Sequence, residues 1–228
     1  MSERIWTDSQ LAEMGKRTID KLGEAADRGD ADRIKELAQT MYDEFAHLHD
    51  GYMVWIAGLL TYIYERGGAR EVEAAERFAH GKEAQLVFLP PEHTDVKHMV
   101  ESMAAGLQGH VYQHMTLIED EEKVVLTNTP CGSGGRLIQM GGYEPEVGLA
   151  RIKEPSDITF NTPDYPVYCV HCPLFNMNAV DDTGDFLFLN NPPEKDGSFC
   201  EFIFYKDPAN IPEEYYKRLG RSKPQRAL

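Results

Sequence analysis

Apolar residues recur at helical spacing through the first half of the chain. Leu11, Met14, Ile19 and Leu22 form one stripe behind a Thr7-Asp8-Ser9 start signal, which predicts an amphipathic helix. A second helix is expected after Gly29-Asp30. Its stripe runs Ile34, Leu37, Met41, Phe45, Leu48 and then broadens through Trp55, Ile56, Leu59 and Ile63 until Gly67-Gly68 stops it. The broadening predicts that the C-terminal half of this helix is enclosed on all sides. A shorter helix through Val72, Ala75 and Phe78 follows, then another through Val96, Val100, Met103 and Leu107 beyond the Pro90-Pro91 break.

From Val111 the period changes to two. Val111, Met115 and Leu117 alternate with Tyr112, His114 and Thr116 up to an acidic tip at Glu119 to Glu122, and Val124-Val125-Leu126 returns, which predicts a hairpin. Residues 141–166 are rich in Gly, Pro and Asp and read as a long surface loop, a lid over nearby site residues. Two more strands are expected at Asp185 to Leu189 and Phe199 to Tyr205, joined by the turn-rich Asn190-Asn191-Pro192-Pro193-Glu194-Lys195-Asp196-Gly197 stretch. After Pro212 the basic residues Lys217, Arg218, Arg221, Lys223 and Arg226 read as a solvated, frayed terminus.

The expected architecture is α+β. A helical N-terminal half, 1–109, packs on a small, mainly antiparallel sheet in the C-terminal half, 110–212, followed by the basic tail 213–228. With 42% hydrophobic residues in 228, the chain reads as a single domain able to bury a substantial core without a metal to hold it together. The broad apolar face of the second helix allows a homodimer.

A formal charge of -15 argues against a nucleic-acid backbone or an anionic membrane as the main partner, since both need a basic face. That leaves a small-molecule substrate or another protein. The polar start MSERIWTDSQ has no leader pattern, and the longest apolar run, Tyr52 to Tyr64, falls short of the roughly 20 residues that span a bilayer. The expected location is the cytoplasm, where cysteines stay reduced and clustered ones point to thiolate chemistry or metal binding.

Four cysteines carry the chemistry. Cys169-Val170-His171-Cys172 has the CxxC spacing at which two thiolates bind one ion from a single turn. Cys131, after the hairpin, and Cys200, opening the last strand, sit where a sheet brings distant residues together. Four such ligands suit zinc, or an iron–sulfur cluster if the site is enclosed. The alternative is that these are buried thiols acting as small hydrophobes.

Cys131 also begins Cys131-Gly132-Ser133-Gly134-Gly135-Arg136, whose glycines let backbone N–H groups turn inward as an anion-binding concavity beside Arg136. A nucleophilic Cys131 is therefore the rival of a metal-bound one. A plain flexible turn is the other reading of the same segment. His110 and His114, four apart, would share one helix face for a metal, or line a polar pocket wall if the segment is a strand; a solvent-facing pair is the other reading. Glu44, His47, His49 and Asp50 form a second polar group at the rim of the apolar stretch, with Tyr52 and Trp55 as candidate substrate-binding residues beside Gly132, Ser133 and Gly134.

The segments His49-Asp50-Gly51-Tyr52-Met53-Val54-Trp55 and Gly197-Ser198-Phe199-Cys200-Glu201-Phe202 resemble the L-2-amino-thiazoline-4-carboxylate hydrolase-like family. That resemblance implies a cytoplasmic enzyme on a small organic acid, opening a C–N bond in a sulfur heterocycle by hydrolysis. The Cys131 segment and the additional Cys169 depart from that family's pattern. The half with the cysteines is similar, more faintly, to the 4-vinyl reductase-type ligand-binding domain, which implies a small-molecule sensor or carrier with structural zinc. On the first reading a zinc ion on Cys169, Cys172, Cys200 and Cys131 activates water, with His110, His114 and Arg136 as further catalytic residues.

Overall fold

The computed structural model describes residues 5–86, 95–110, 114–193 and 195–225, and for 83–86 the backbone alone. The expected Pro90-Pro91 break, the strand start at Val111 and Tyr112, Glu194 and Arg226 lie outside the described residues. Contacts divide the chain into two compact units, Met1–Tyr52 and Met53–Leu228. The architecture is α+β.

In the first unit the expected single stripe is two helices. α1 spans Asp8–Met14 behind a Thr7 capping box, and α2 spans Thr18–Asp27. The break at Gly15-Lys16-Arg17 interrupts the stripe, so Leu11, Met14 and Ile19 stay exposed and Ala25 is the buried residue of α2. α3 spans Ala31–Leu86 and contributes Leu37 and Ala46 to the buried residues of this unit.

In the second unit the Gly67-Gly68 stop is a break within α3, at Gly68 with φ 73°, after which the helix resumes. Only one stripe of the apolar stretch is covered. Met53, Ala57 and Leu60 are buried, whereas Trp55, Ile56, Leu59 and Tyr62 are exposed, which corrects the expectation of all-round enclosure. α4 spans Val96–Leu107, with Asp95 capping its start.

The hairpin is β1 (His114–Glu119) against β2 (Lys123–Thr129), with Leu117 opposite Leu126. α5 (Gly134–Gln139) follows, then the two-residue β3 (Arg151–Ile152) and β4 (Tyr165–Pro166), α6 (His171–Thr183), β5 (Leu189–Asn191), β6 (Cys200–Tyr205) and α7 (Glu213–Lys217). The main sheet has the antiparallel order β1-β2-β6-β5. Its residues alternate between two cores, as a pleat requires. Leu126 and Phe204 join α4 through Met99, Val100 and Met103, while Val125, Ile203 and Leu189 join α6 through Leu174 and Met177.

Three elements run against the sequence reading. Residues 141–166 are no lid: Leu149, Ile152, Ile158, Phe160 and Tyr165 are buried, and the segment closes on itself through the β3–β4 ladder. α6 escaped notice because Pro173, two asparagines and two aspartates obscure its stripe, and one of its buried positions is Asn176. The tail is not frayed either. Tyr216 and Leu219 are wholly buried, Tyr216 donates to Asp185 at 2.7 Å, and Arg221 pairs with Asp181 at 2.6 Å. No described helix is long and apolar enough to cross a membrane.

The buried tail generates a measurable contrast. Leu219→Ala should lower unfolding stability in urea by about 2–5 kcal/mol, the range for emptying a closed core site. Ile118→Ala, at a position 69% exposed, should stay within about 0.5 kcal/mol of the parent.

Candidate functional site

Cys131 leaves β2 through the cis Thr129-Pro130 bond, and its carbonyl accepts the Arg136 N–H at 2.9 Å as the chain turns into α5. Cys169 lies in a single 3-10 turn, Val167–Val170, and Cys172 in the first turn of α6. Cys200 opens β6 opposite Asn128. All four thiols are free and lie within electrostatic reach of one another, so the fold brings together the cysteines that the sequence singled out.

Their electrostatics are unequal. The Cys131 thiol is held well below the usual range by a hydrogen bond with Cys200, against the opposing effect of burial, and by the Gly135 and Ser133 N–H groups and the Ser133 hydroxyl. Its sulfur is 3.6 Å from Ser133 Oγ. The other three are pushed up: Cys200 by its hydrogen bond with Cys131 and by burial, Cys169 and Cys172 by burial first and by neighbouring sulfurs second. Thiolates crowded into a low-dielectric pocket repel one another, so the ionised form is favoured at Cys131, where the donors gather, and disfavoured at the other three. Cys200 has a single proton and two acceptors, since its sulfur also lies 2.9 Å from the Asn191 carbonyl. An ionised Cys131 is the stronger acceptor and draws that proton; a neutral one leaves it on Asn191.

The glycines of the Cys131 segment answer to packing. A Cβ on Gly134 would collide with Cys169 Sγ, and one on Gly135 would stand 2.8 Å from the Gly197 carbonyl and 2.9 Å from Cys131 Cβ. Gly197, at φ 72°, meets Gly135 in return. The turn thus locks against the CxxC on one side and the β5–β6 connection on the other. Its inward N–H groups, those of Ser133 and Gly135, are directed at the Cys131 sulfur itself.

A polar group that the sequence reading missed stands beside Cys172. Glu76 on α3 is 7% exposed, its carboxylate is 3.3 Å from His80 Nε2, and its charge helps push the Cys172 thiol up. A carboxylate only accepts, so Nε2 carries the proton and Nδ1 the lone pair. His80 Nδ1 is buried with no partner among the described residues. His171, inside the CxxC, donates from Nδ1 to the Tyr168 carbonyl at 2.7 Å, and Phe175 stacks on His80 with centroids 4.4 Å apart. Burial lowers the His80 pKa to about 4, with His171 and Arg77 adding repulsion. The i, i+4 spacing of Glu76 and His80 was the available signal, hidden in a charged stretch.

The remaining candidates are placed as follows. His110 sits in the turn after α4, half-buried, and His114 opens β1 opposite Thr129 with its side chain exposed. Arg136, on α5, is half-buried. His49 and Tyr52 belong to the first unit, where His49 Nδ1 is 3.3 Å from Asp50 and Glu44 accepts from Thr18 at 2.6 Å. Trp55 is 61% exposed on α3. Among the described residues no group of three or more His, Cys, Asp or Glu side chains is arranged to hold a metal ion.

Two outcomes follow from this geometry. The unfolded chain protonates His80 near 6.5 and the folded chain resists until about 4, so acid favours unfolding between those values. Stability in urea should therefore be full above about pH 6.5 and fall as the pH drops toward about 4, and His80→Gln should flatten that part of the curve. Gly134→Ala should destabilise by about 1–3 kcal/mol through overpacking against Cys169. Gly51→Ala, where a Cβ meets nothing within 4 Å on α3, should stabilise by about 0.5–1 kcal/mol in the same urea measurement. No family model, curated protein or solved structure matches this chain.

Proposed function

We propose that this chain is a thiol-dependent enzyme of a reducing, cytoplasmic compartment that hydrolyses a C–N bond in a small organic acid, with the Cys131 sulfur as nucleophile. The observation that carries this reading is the donor set on that sulfur: the Cys200 thiol, the Ser133 and Gly135 N–H groups and the Ser133 hydroxyl. Thiolate, not thiol, attacks carbon, and such donors keep it ionised near neutral pH. The sulfur adds to the acyl carbon of an amide-type C–N bond, and the nitrogen leaves as the amine with the Cys200 proton. Water then adds to the resulting thioester, returns a proton to Cys200 and releases the Cys131 thiolate. This is the reaction class implied by the resemblance to the thiazoline-carboxylate hydrolase-like family.

A second reading rests on the mutual reach of all four sulfurs. Cys131, Cys169, Cys172 and Cys200 are a donor set suited to zinc or an iron–sulfur cluster, and a cation would offset the burial that chiefly holds Cys169 and Cys172 protonated and the repulsion among neighbouring sulfurs. An ion with four sulfur ligands supplies structure and keeps no open position.

Iodoacetamide labelling with site mapping separates the two. On the first reading, wild-type protein takes one label at Cys131 at a rate that holds well below the ordinary thiol range, and Cys131→Ser takes none. On the second, anaerobically purified protein carries about one metal site per chain, Cys169→Ser loses it, and Cys131 reacts only after the metal is stripped. Absence of rapid labelling in metal-free wild-type protein would sink the nucleophile.

A further inference from the structure

Arg218 stands just beyond α7 with its guanidinium between two rings, 4.3 Å from the Phe160 centroid and 4.6 Å from that of Tyr215. Nη2 donates to the Asn190 carbonyl and Nη1 to Asn191 Oδ1 at 3.3 Å. Both acceptors are neutral. Among the described residues no carboxylate pairs with Arg218; Glu214 acts on it from beyond contact, and Tyr215 and Tyr165 are the other titratable groups that face it. Burial lowers its pKa to about 10, which leaves it charged at neutral pH. A cation in this setting lacks the counter-charge that enclosed charges require.

Two donors are left over at this point. Among the described residues Arg218 Nε has no acceptor, and neither has Nδ2 of Asn190, a residue 1% exposed. The amide orientation of Asn190 is fixed by its neighbours. Asn176 takes the Asn190 N–H on Oδ1 at 3.0 Å and gives Nδ2 to the Phe188 carbonyl at 3.0 Å, so its own orientation is set by backbone. The same Nδ2 donates to Asn190 Oδ1 at 3.1 Å, which leaves Asn190 Nδ2 facing away with no acceptor. Nε lies on the same edge of the guanidinium as Nη2, and Nη2 bonds the backbone carbonyl of the residue whose amide is idle.

We propose that Arg218 Nε–H and Asn190 Nδ2–H form a receptor for a small carboxylate, and that this carboxylate is the acid group of the substrate attacked by Cys131. Asn191 links the receptor to the thiols: it takes Arg218 Nη1 on its side chain, and its carbonyl lies 2.9 Å from the Cys200 sulfur, the group whose proton an ionised Cys131 draws. The receptor stands on the unpaired donors alone. Its assignment to the substrate rests on the thiol reading above.

The test uses full-length protein and two alkylating probes of equal reach, iodoacetate and iodoacetamide. Binding of the carboxylate should favour iodoacetate at Cys131, and Arg218→Met, which keeps the stem between the rings, should cut the iodoacetate-to-iodoacetamide rate ratio roughly tenfold, the loss of one charged hydrogen bond. In parallel, acetate at constant ionic strength should raise the melting temperature of wild-type protein saturably, and not that of Arg218→Met or of Arg218→Lys, which keeps the charge but loses the fork. A shift given equally by chloride and sulfate, or one that persists in Arg218→Met, overturns the receptor. An unchanged rate ratio beside a specific acetate shift overturns its assignment to the substrate. Failure of both probes to label Cys131 counts against the thiol reading and leaves the acetate measurement to decide the receptor.

Discussion

The close approach of Gly134 to the Cys169 side chain and of Gly135 to the Gly197 backbone is the constraint on which the rest of the second unit's site depends. Where two chain segments touch with no room for a Cβ, their relative positions are fixed to a few tenths of an ångström. That contact places the CxxC against the Cys131 turn and the β5–β6 connection against the same turn. The four thiols converge because three separate segments are pinned to one another. The unequal ionisation follows, since one sulfur collects the donors of the turn while burial and its neighbours keep the others neutral.

Much of this was legible in the sequence, and the reason differs from element to element. The hairpin was visible because Met115, Leu117, Val124 and Leu126 alternate without interruption, and the last strand because Phe202 and Phe204 do the same. α6 was not, because a helix held partly by buried amides has no clean apolar stripe, and Asn176 serves as a core residue by bonding the backbone of β5. The tail was misread for a related reason. Its charges, Lys217, Arg218 and Arg221, dominate the composition, yet Tyr216 and Leu219 between them decide where the segment goes.

The cysteines were legible as a set because spacing and residue type announced them. Their partners were not. Glu76 and His80 reach Cys172 only through the folding of α3 beside α6, and Asn190 and Arg218 meet only when the tail returns to β5. The CxxC spacing shows the sulfur atoms in the sequence before anything shows what orients them. The glycines of the Cys131 segment have the opposite lesson: they read as conformational freedom, and in the fold they are places where nothing larger fits.

The burial of Tyr216 and Leu219 has a consequence for the order of events during synthesis. Cys131, Cys169 and Cys172 emerge long before Cys200, the two asparagines of β5 and the tail helix that seats Arg218. Until those later segments are present, β2 lacks its central partner strand and Cys131 lacks its donor from Cys200. The unequal electrostatics of the four thiols therefore arise only with the closed core, when the last strand has joined the sheet.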